Sequence, residues 1–226
     1  MNKLSIQNIL CVFFILSSCT ENTNVRKNVT PELNKTIYVP EFNADSCYSY
    51  IQKQVEFGPR YLSSEGAKNC SKWLVKKLSK IADTLIVQEA NVITYDNKRH
   101  KIKNIIASFH PQKNNRILLM AHWDTRHVAD HDSVRKNKPI LGANDGGSGA
   151  GMLIEIARNI KIKKPKVGID IILFDGEDYG QPENSNFPIM QDSWCLGSQY
   201  WSKNKHKKNY FAKYGILLDM VGGPNA

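Results

Sequence analysis

The sequence has 226 residues, of which 41% are hydrophobic and 9% aromatic, and its 31 Lys and Arg against 21 Asp and Glu give a formal net charge of +10. This composition excludes bulk disorder, and the length predicts one domain or at most two small ones. No apolar run reaches the roughly 18 residues that a membrane-spanning helix needs. The basic charge could serve nucleic-acid binding, but no nucleic-acid-binding motif accompanies it, so we expect no nucleic-acid partner.

The amino terminus resembles a bacterial export signal. Lys3 precedes an apolar core at residues 9–16, which is too short to span a membrane, and small residues and Cys19 follow. The ending LSSC resembles the lipobox of lipoproteins, in which the cysteine becomes the acylated first residue. We therefore expect residues 1–18 to be a signal peptide and Cys19 to anchor the exported protein to a bacterial membrane, on its periplasmic or outer side. The alternative is an ordinary signal peptide with an incidental cysteine.

Residues 19–40 are polar and rich in Asn, which is typical of a tether, and the folded domain is expected over residues 41–226. Because export places the protein in an oxidising compartment, the domain's cysteines can form one disulfide. Proximity in sequence favours a Cys47–Cys70 pair and leaves Cys195 as a thiol. No CxxC spacing is present, so a cysteine zinc site is not expected.

Two helices are predicted at the start of the domain. Asn43 or Asp45 can cap the first helix, which Gly58 and the following proline end, and Ser63 or Ser64 can cap the second. The second helix combines an apolar stripe with a lysine face that we interpret as solvated: Cys70, Leu74, Leu78 and Ile81 form the stripe, and Lys72, Lys76 and Lys80 form the face.

Strands and helices alternate in the rest of the domain. Two of the predicted strands, RILLMA and IDIILF, are nearly continuous apolar runs, as expected for strands covered on both faces. Helices alternating with such strands predict a three-layer α/β fold, with a largely parallel central sheet and helices on both faces. The predicted strands are residues 85–94, 103–109, 116–121, 169–174 and 216–219, and the predicted helices are residues 150–160 and 194–203.

Acidic and imidazole groups follow three of these strands. One further acid lies in a Gly-rich segment before a helix. The groups are His122 and Asp124 after RILLMA, Asp175, Glu177 and Asp178 after IDIILF, Asp219 at the end of the last strand, and Asp145 in the Gly-rich segment. Ligands of parallel sheets bind outside the carboxyl ends of the strands. Like charges at one edge repel each other unless a cation joins them, so the pattern indicates a metal site. For any single Asp, a helix cap or a loop residue is the alternative.

A second polar group lies between the RILLMA strand and the Gly-rich segment. Its two histidines are four residues apart, a spacing that could bind a metal on a helix, but no apolar helix surrounds them. We therefore interpret the segment as a flexible polar loop. The residues are Asp124, His127, Asp130, His131 and Asp132.

Five motifs together resemble the bacterial members of the animal-type glutaminyl-peptide cyclotransferases, or glutaminyl cyclases. These enzymes share the fold of the zinc-dependent aminopeptidases, so the broader family is a metallopeptidase one. The resemblance covers residues 40–226, including FNADSCYSYIQKQVEFGPR and NIIASF near the start of the domain. The motifs are AHWDT (121–125), GANDGGSGAG (142–151), FDGEDYG (174–180), DSWCLGSQYW (192–201) and ILLDMVGG (216–223).

The resemblance implies one zinc ion bound by Asp145 and Asp178, with Glu177 as the general acid and base. Asp219 matches an acid that holds substrate and protons in the cyclases and binds a second zinc in the aminopeptidases. His122 matches another ligand of that second zinc in the aminopeptidases, whereas the cyclases generally use one zinc and do not bind it through this His.

The implied reaction converts the N-terminal Gln of peptides or proteins to pyroglutamate and releases ammonia. We expect the protein to be a monomer. An aminopeptidase with two zinc ions is the alternative, as is an inactive lipoprotein of the same fold. The motif DSWCLGSQYW favours the cyclase.

The sequence departs from the family at one ligand. The family takes a further zinc-binding His from a segment well beyond the strand that ends at Asp219, whereas this chain ends seven residues later, at Ala226. Two acids without that imidazole form a harder site, closer to the preference of Mg²⁺ or Mn²⁺. We therefore expect a C-terminally truncated, incomplete domain with poor or no activity.

Overall fold

The computed structural model describes residues 38–223. The predicted signal peptide, the predicted anchor Cys19 and most of the predicted tether lie outside the described residues. Within the described part, no helix is both long and apolar enough to cross a membrane.

The first two helices begin at predicted caps. Helix α1 (Ala44–Glu56) starts after Asn43, whose side chain accepts a hydrogen bond from the backbone N–H of Ser46 at 2.7 Å. Helix α2 (Glu65–Ser79) starts after Ser64, whose Oγ accepts from the N–H of Ala67 at 3.0 Å. Each cap satisfies an N–H that has no partner within its helix. The predicted faces of α2 are largely confirmed: Cys70, Leu74 and Leu78 are buried, and Ile81, beyond the end of the helix, is partly buried. The lysine face is exposed at Lys72, Lys76 and Lys80.

Within residues 38–223, five strands form one mixed sheet: β1 (Thr84–Ile93), β2 (Arg99–Phe109), β3 (Arg116–His122), β4 (Gly168–Phe174) and β5 (Gly215–Leu217). Their order in the sheet is β1-β2-β4-β3-β5. Strand β3 is parallel to both of its neighbours, whereas β2 is antiparallel to β1 and to β4. The α/β prediction is confirmed, but the parallel part is limited to β3, β4 and β5. A short turn makes β1 and β2 antiparallel, and residues 110–115 are too few for a parallel crossover from β2 to β3, so β2 also runs against β4.

Helices cover both faces of the sheet. Helix α3 (Gly147–Ile162) and α2 pack on the face that carries Ile171 of β4, and α1 packs against α3. Helix α4 (Leu196–Lys203) packs on the opposite face, where Trp201 contacts Phe174. Alternate residues of a strand point to opposite faces, so β4 contributes to both cores and is buried along its whole length. The predicted three layers are confirmed.

The predicted Cys47–Cys70 disulfide is wrong. Both thiols are free and buried, and Cys195 is also free. Cys70 lies in the core beneath α2, whereas Cys47 lies in α1, whose backbone there packs next to Gly151 of α3. Proximity in sequence does not bring two side chains together when they lie on separate helices that bury different faces, and each thiol packs as a small apolar group.

Candidate metal centre

Three parallel strands bring the predicted polar residues to one edge of the sheet. His122 is the last residue of β3 and is paired with Phe174, the last residue of β4. Leu217 at the end of β5 is paired with Met120 of β3, which places Asp219 just beyond the same edge. The sheet therefore gathers the strand-end groups as the sequence predicts.

His122 lies at the middle of the acidic groups. Its Nε2 atom is 3.0 Å from Oδ1 of Asp145 and 3.4 Å from Oδ1 of Asp219. Its Nδ1 atom is 3.4 Å from Oδ1 of Asp124 and 3.8 Å from Oε2 of Glu177. Carboxylates therefore approach both ring nitrogens of a buried imidazole.

Four residues at this edge of the sheet can together hold a divalent metal ion. His122, Asp145, Glu177 and Asp178 each offer a ligand atom, and these atoms lie within 4.8 Å of one another. Both ring nitrogens of His122 and Oδ2 of Asp178 are buried without a well-aligned hydrogen bond. Buried polar atoms are rarely left without a partner, and an imidazole with carboxylates is a donor set that zinc uses. The residues fit a metal ion, and sequence reasoning had included His122 only with a second zinc.

Burial and crowding perturb the titration of this cluster. Burial raises the pKa of Asp178 to about 9, and repulsion from Asp124 and Asp145 contributes. Burial also raises the pKa of Glu177, although the nearby His122 opposes the shift.

In His122 and Asp219, by contrast, the neighbouring groups favour the charged form of the side chain. Burial lowers the pKa of His122, but interactions with Asp124, Asp145 and Asp219 outweigh it and raise that pKa well above its usual value. The contact with His122 in turn lowers the pKa of Asp219. Such opposed shifts among neighbouring groups are typical of functional sites.

The Gly-rich segment lets Asp145 approach the imidazole. Gly142 and Gly146 have φ values of +59° and +75°, a left-handed conformation that favours glycine. A side chain at position 146 would also lie 2.3 Å from the carbonyl oxygen of Asp124 and 3.1 Å from the ring of His122. Glycine is therefore required there for Asp145 to lie next to the end of β3.

Asp124, which the sequence places at the end of the RILLMA strand without a role of its own, is an orienting group. Its side chain is fully buried, and its two oxygens accept hydrogen bonds from the backbone N–H groups of Glu177 at 3.1 Å and Asp178 at 3.0 Å. It therefore holds the segment that carries two candidate site residues. The spacing His122-x-Asp124 was the available signal, because alternate residues of an extended chain point to the same side.

A cavity of about 180 Å³ opens onto Glu177, His122 and Asp219. The Sγ atom of Cys195, a residue that sequence reasoning missed at the site, is 3.5 Å from Oε1 of Glu177. Apolar walls with a few polar groups are typical of a site for a small ligand. A larger cavity of about 460 Å³, next to Tyr95 and Phe187, contains none of the candidate metal ligands. The remaining lining residues of the smaller cavity are Met120, Phe174, Ser198 and Leu217.

The interpretation of the segment around His127 as a flexible loop is wrong at that residue. The His127 ring stacks on Tyr179 with centroids 4.1 Å apart, and its Nε2 is 2.8 Å from the hydroxyl of Tyr95. Aromatic partners distant in sequence therefore order His127, whereas His131 is exposed. The structure places neither histidine in the metal cluster.

Comparisons with known proteins agree with this geometry. The model of peptidase family M28 matches residues 104–226. A Zn-dependent exopeptidase from Parabacteroides distasonis is 51% identical, with a TM-score of 0.81 over 84% of this chain and 65% of that chain. The glutaminyl cyclase of Tannerella forsythia is also 51% identical, with a TM-score of 0.79 over 83% of this chain and 65% of that chain.

A curated relative extends the comparison to animals. The glutaminyl-peptide cyclotransferase of Bos taurus is 22% identical over 181 residues, which are 73% of this chain and 49% of that protein. The resemblance indicated by the motifs is confirmed. This chain spans about half the length of that relative and about two thirds of the two solved structures.

Proposed function

Because the chain belongs to peptidase family M28, we propose that it is a zinc-dependent glutaminyl-peptide cyclotransferase, which converts the N-terminal Gln of peptides to pyroglutamate and releases ammonia. The observation that carries this proposal is the position of Glu177. It belongs to the cluster of four residues that can hold a metal ion and also lines the adjoining cavity, so it can face both the ion and a substrate. The Tannerella forsythia cyclase and the Parabacteroides distasonis exopeptidase are both 51% identical, so the preference for cyclisation rests on the motif DSWCLGSQYW.

Asp145, Asp178 and His122 are the residues that would hold zinc. Their ligand atoms converge, and two of the three side chains carry buried polar atoms without a well-aligned hydrogen bond. When bound, zinc acts as a Lewis acid that polarises a carbonyl oxygen, here that of the substrate's γ-carboxamide.

Glu177 has the position and the environment of a proton carrier. In cyclisation the substrate's α-amino nitrogen forms a bond to the γ-carbonyl carbon, and the bond from that carbon to the amide nitrogen breaks. Glu177 takes a proton from the attacking amine and gives it to the departing ammonia, which balances the reaction. A carboxyl whose pKa is raised by burial is well matched to proton transfer in both directions.

The orientation of the substrate also contributes to the rate of cyclisation. Both reacting groups belong to one substrate residue, so holding that residue in a productive conformation replaces the activation of a second molecule. Asp219, whose pKa is lowered, is ionised and lines the cavity, where it can accept a hydrogen bond from the substrate amine. The cavity volume of about 180 Å³ limits the residue that can enter.

Hydrolysis by an aminopeptidase is the second candidate, and the position of His122 favours it. This imidazole lies between Asp145 and Asp219, at 3.0 Å and 3.4 Å, so in that case it would hold a second metal ion with these two acids, and Asp145 and Asp178 would hold the first. Glu177 would then take a proton from water. The Parabacteroides distasonis exopeptidase has the same fold at the same identity as the cyclase.

One assay separates the two reactions. The zinc-loaded protein is incubated with a peptide that begins with Gln, and the products are analysed by mass spectrometry and an ammonia assay. Cyclisation gives ammonia and a blocked peptide of unchanged residue number. A shortened peptide with free Gln would instead establish the aminopeptidase and contradict our proposal.

Variants then test the role of Glu177. The change Glu177→Gln keeps the size of the side chain and removes its ability to carry a proton, so we expect a loss of about 10²- to 10⁴-fold in kcat. The matched control is Glu183→Gln, at an exposed position, which should keep the activity of the original protein. Full activity of Glu177→Gln would contradict its assigned role.

A further inference from the structure

We propose that Arg60 is a positioning residue for the metal centre, because it joins the main-chain segments that carry the candidate ligands. Nothing in the reaction scheme uses this residue, and it is completely buried. The inference rests on the metal site of the proposed function and is independent of whether the reaction is cyclisation or hydrolysis.

The hydrogen bonds of the Arg60 guanidinium define its role. Nε donates to the carbonyl oxygen of Trp123 at 3.0 Å. Nη1 donates to the carbonyls of Leu141 at 2.8 Å and Gln54 at 3.2 Å, and Nη2 donates to that of Gly142 at 2.7 Å. One side chain therefore cross-links three separate segments through their main chains.

Two of these segments carry metal-site residues. Trp123 lies between His122 and Asp124, so its carbonyl is fixed where β3 enters the cluster. Gly142 begins the tight turn that leads to Asp145, and its carbonyl also accepts from the N–H of Gly147 at the start of α3 at 3.2 Å. Arg60 thus fixes the separation between the end of β3 and the segment that carries Asp145.

The charge of Arg60 is held by main-chain dipoles. Within residues 38–223 its guanidinium forms hydrogen bonds to carbonyl oxygens and no ion pair with a carboxylate, whereas the buried Arg116 is paired with Asp170 at 2.6 Å. Burial lowers the pKa of Arg60, and the metal-site acids Asp145 and Asp178 act against that shift. A buried charge without a contacting counter-ion is costly, which indicates a role for these bonds beyond packing.

The main chain of Arg60 is fixed to the same region. Its N–H donates to Oγ1 of Thr125 at 2.8 Å, next to Asp124. The backbone N–H and the guanidinium of Arg60 therefore both bind the segment that follows β3. Because the backbone of Arg60 is held in place, the guanidinium reaches the carbonyl oxygens from a fixed position. Residues behind metal ligands that orient them typically change metal affinity by 10- to 100-fold when they are substituted.

The test is the zinc dissociation constant of the metal-free protein, measured by competition with a chromophoric chelator. Arg60→Lys keeps the positive charge but cannot reach all the carbonyls, so we expect its zinc dissociation constant to rise by about 10- to 100-fold. The matched control is Arg116→Lys at the opposite end of β3, which should destabilise the fold but leave the zinc dissociation constant within about twofold. Circular dichroism checks that each variant is folded.

A folded Arg60→Lys protein that binds zinc as tightly as the original would overturn the inference. If that variant does not fold, Arg60→Gln replaces it. Removing a positive charge near the site should by itself strengthen zinc binding. Weaker zinc binding by Arg60→Gln therefore supports the positioning role of Arg60, and equal or tighter binding contradicts that role. Failure of both to fold, while Arg116→Lys folds, would show a role in the whole fold and also overturn the inference. Absence of zinc binding by the original protein would contradict the proposed function itself.

Discussion

His127 shows how burial changes a side chain outside the metal centre. It is stacked on Tyr179, its Nδ1 is buried without a hydrogen bond, and no sequence signal distinguished it from the exposed His131. Burial lowers the pKa of His127 to about 4, and the positive charge of Arg126 adds to the effect. The folded protein therefore holds a neutral imidazole over most of the physiological range.

This shift predicts a specific pH dependence of stability. An unfolded His has a pKa near 6.5, so between about pH 6.5 and pH 4 the unfolded chain binds a proton that the folded protein does not. Above this window, His127 does not lower the free energy of unfolding. As the pH falls through the window, proton binding to the unfolded chain lowers that free energy by at most about 3 kcal/mol. We expect His127→Phe to lose less stability than the original protein between about pH 7.5 and pH 5, measured by urea unfolding. His131→Phe is the control, and parallel pH profiles for all three proteins would refute the prediction.

At the scale of elements, the sequence predicts what is locally encoded. Caps and periodicity lie within a few neighbouring residues, so α1, α2 and the buried strand β4 appear where predicted. Arg60 gives no such signal, because its partners are main-chain carbonyls 63 to 82 residues away, apart from that of Gln54. The free Cys47 and Cys70 and the antiparallel placement of β2 against β4 also depend on tertiary packing.

The close approach of α3 to the sheet gives an element-scale prediction. In a helix interior Ala is favoured over Gly by about 1 kcal/mol. At Gly149, however, a Cβ atom would lie 2.3 Å from the carbonyl oxygen of Leu218 and 3.0 Å from Cβ of Ala121. Overpacking against main chain costs about 1–3 kcal/mol, so we expect Gly149→Ala to be destabilised by about 1 kcal/mol in urea unfolding. Ser79→Ala, at an exposed position of α2, should change stability by less than about 0.5 kcal/mol.

At the scale of the whole molecule, the metal centre is locally acidic although the net charge of the protein is positive. The net charge is +10, yet the metal centre brings together five carboxyl groups and one imidazole. Charged lysines lie on exposed faces such as that of α2, which agrees with their interpretation from the sequence as a solvated surface. The acids are Asp124, Asp145, Glu177, Asp178 and Asp219.

Metal binding should therefore stabilise the whole fold. A ligand that binds only the folded state at 100 times its dissociation constant contributes about 2.7 kcal/mol. We expect zinc to raise the thermal midpoint and a chelator to lower it again, as followed by circular dichroism. Asp178→Asn should remove most of this response, whereas Asp192→Asn, at an exposed position, should keep it. A midpoint that is independent of zinc would show that the acids do not bind the ion.

The antiparallel position of β2 has a consequence for how this scaffold can diversify. Because β2 runs against β4, the turn between β1 and β2 lies at the same edge of the sheet as the metal centre, and it supplies Tyr95 to the larger cavity. The strands that carry the ligands are fixed by their own pairing and do not depend on the length of this turn. Insertions in this turn can therefore change the surface next to the metal centre without moving the candidate ligands. The turn is a suitable position at which evolution or protein engineering could vary substrate specificity.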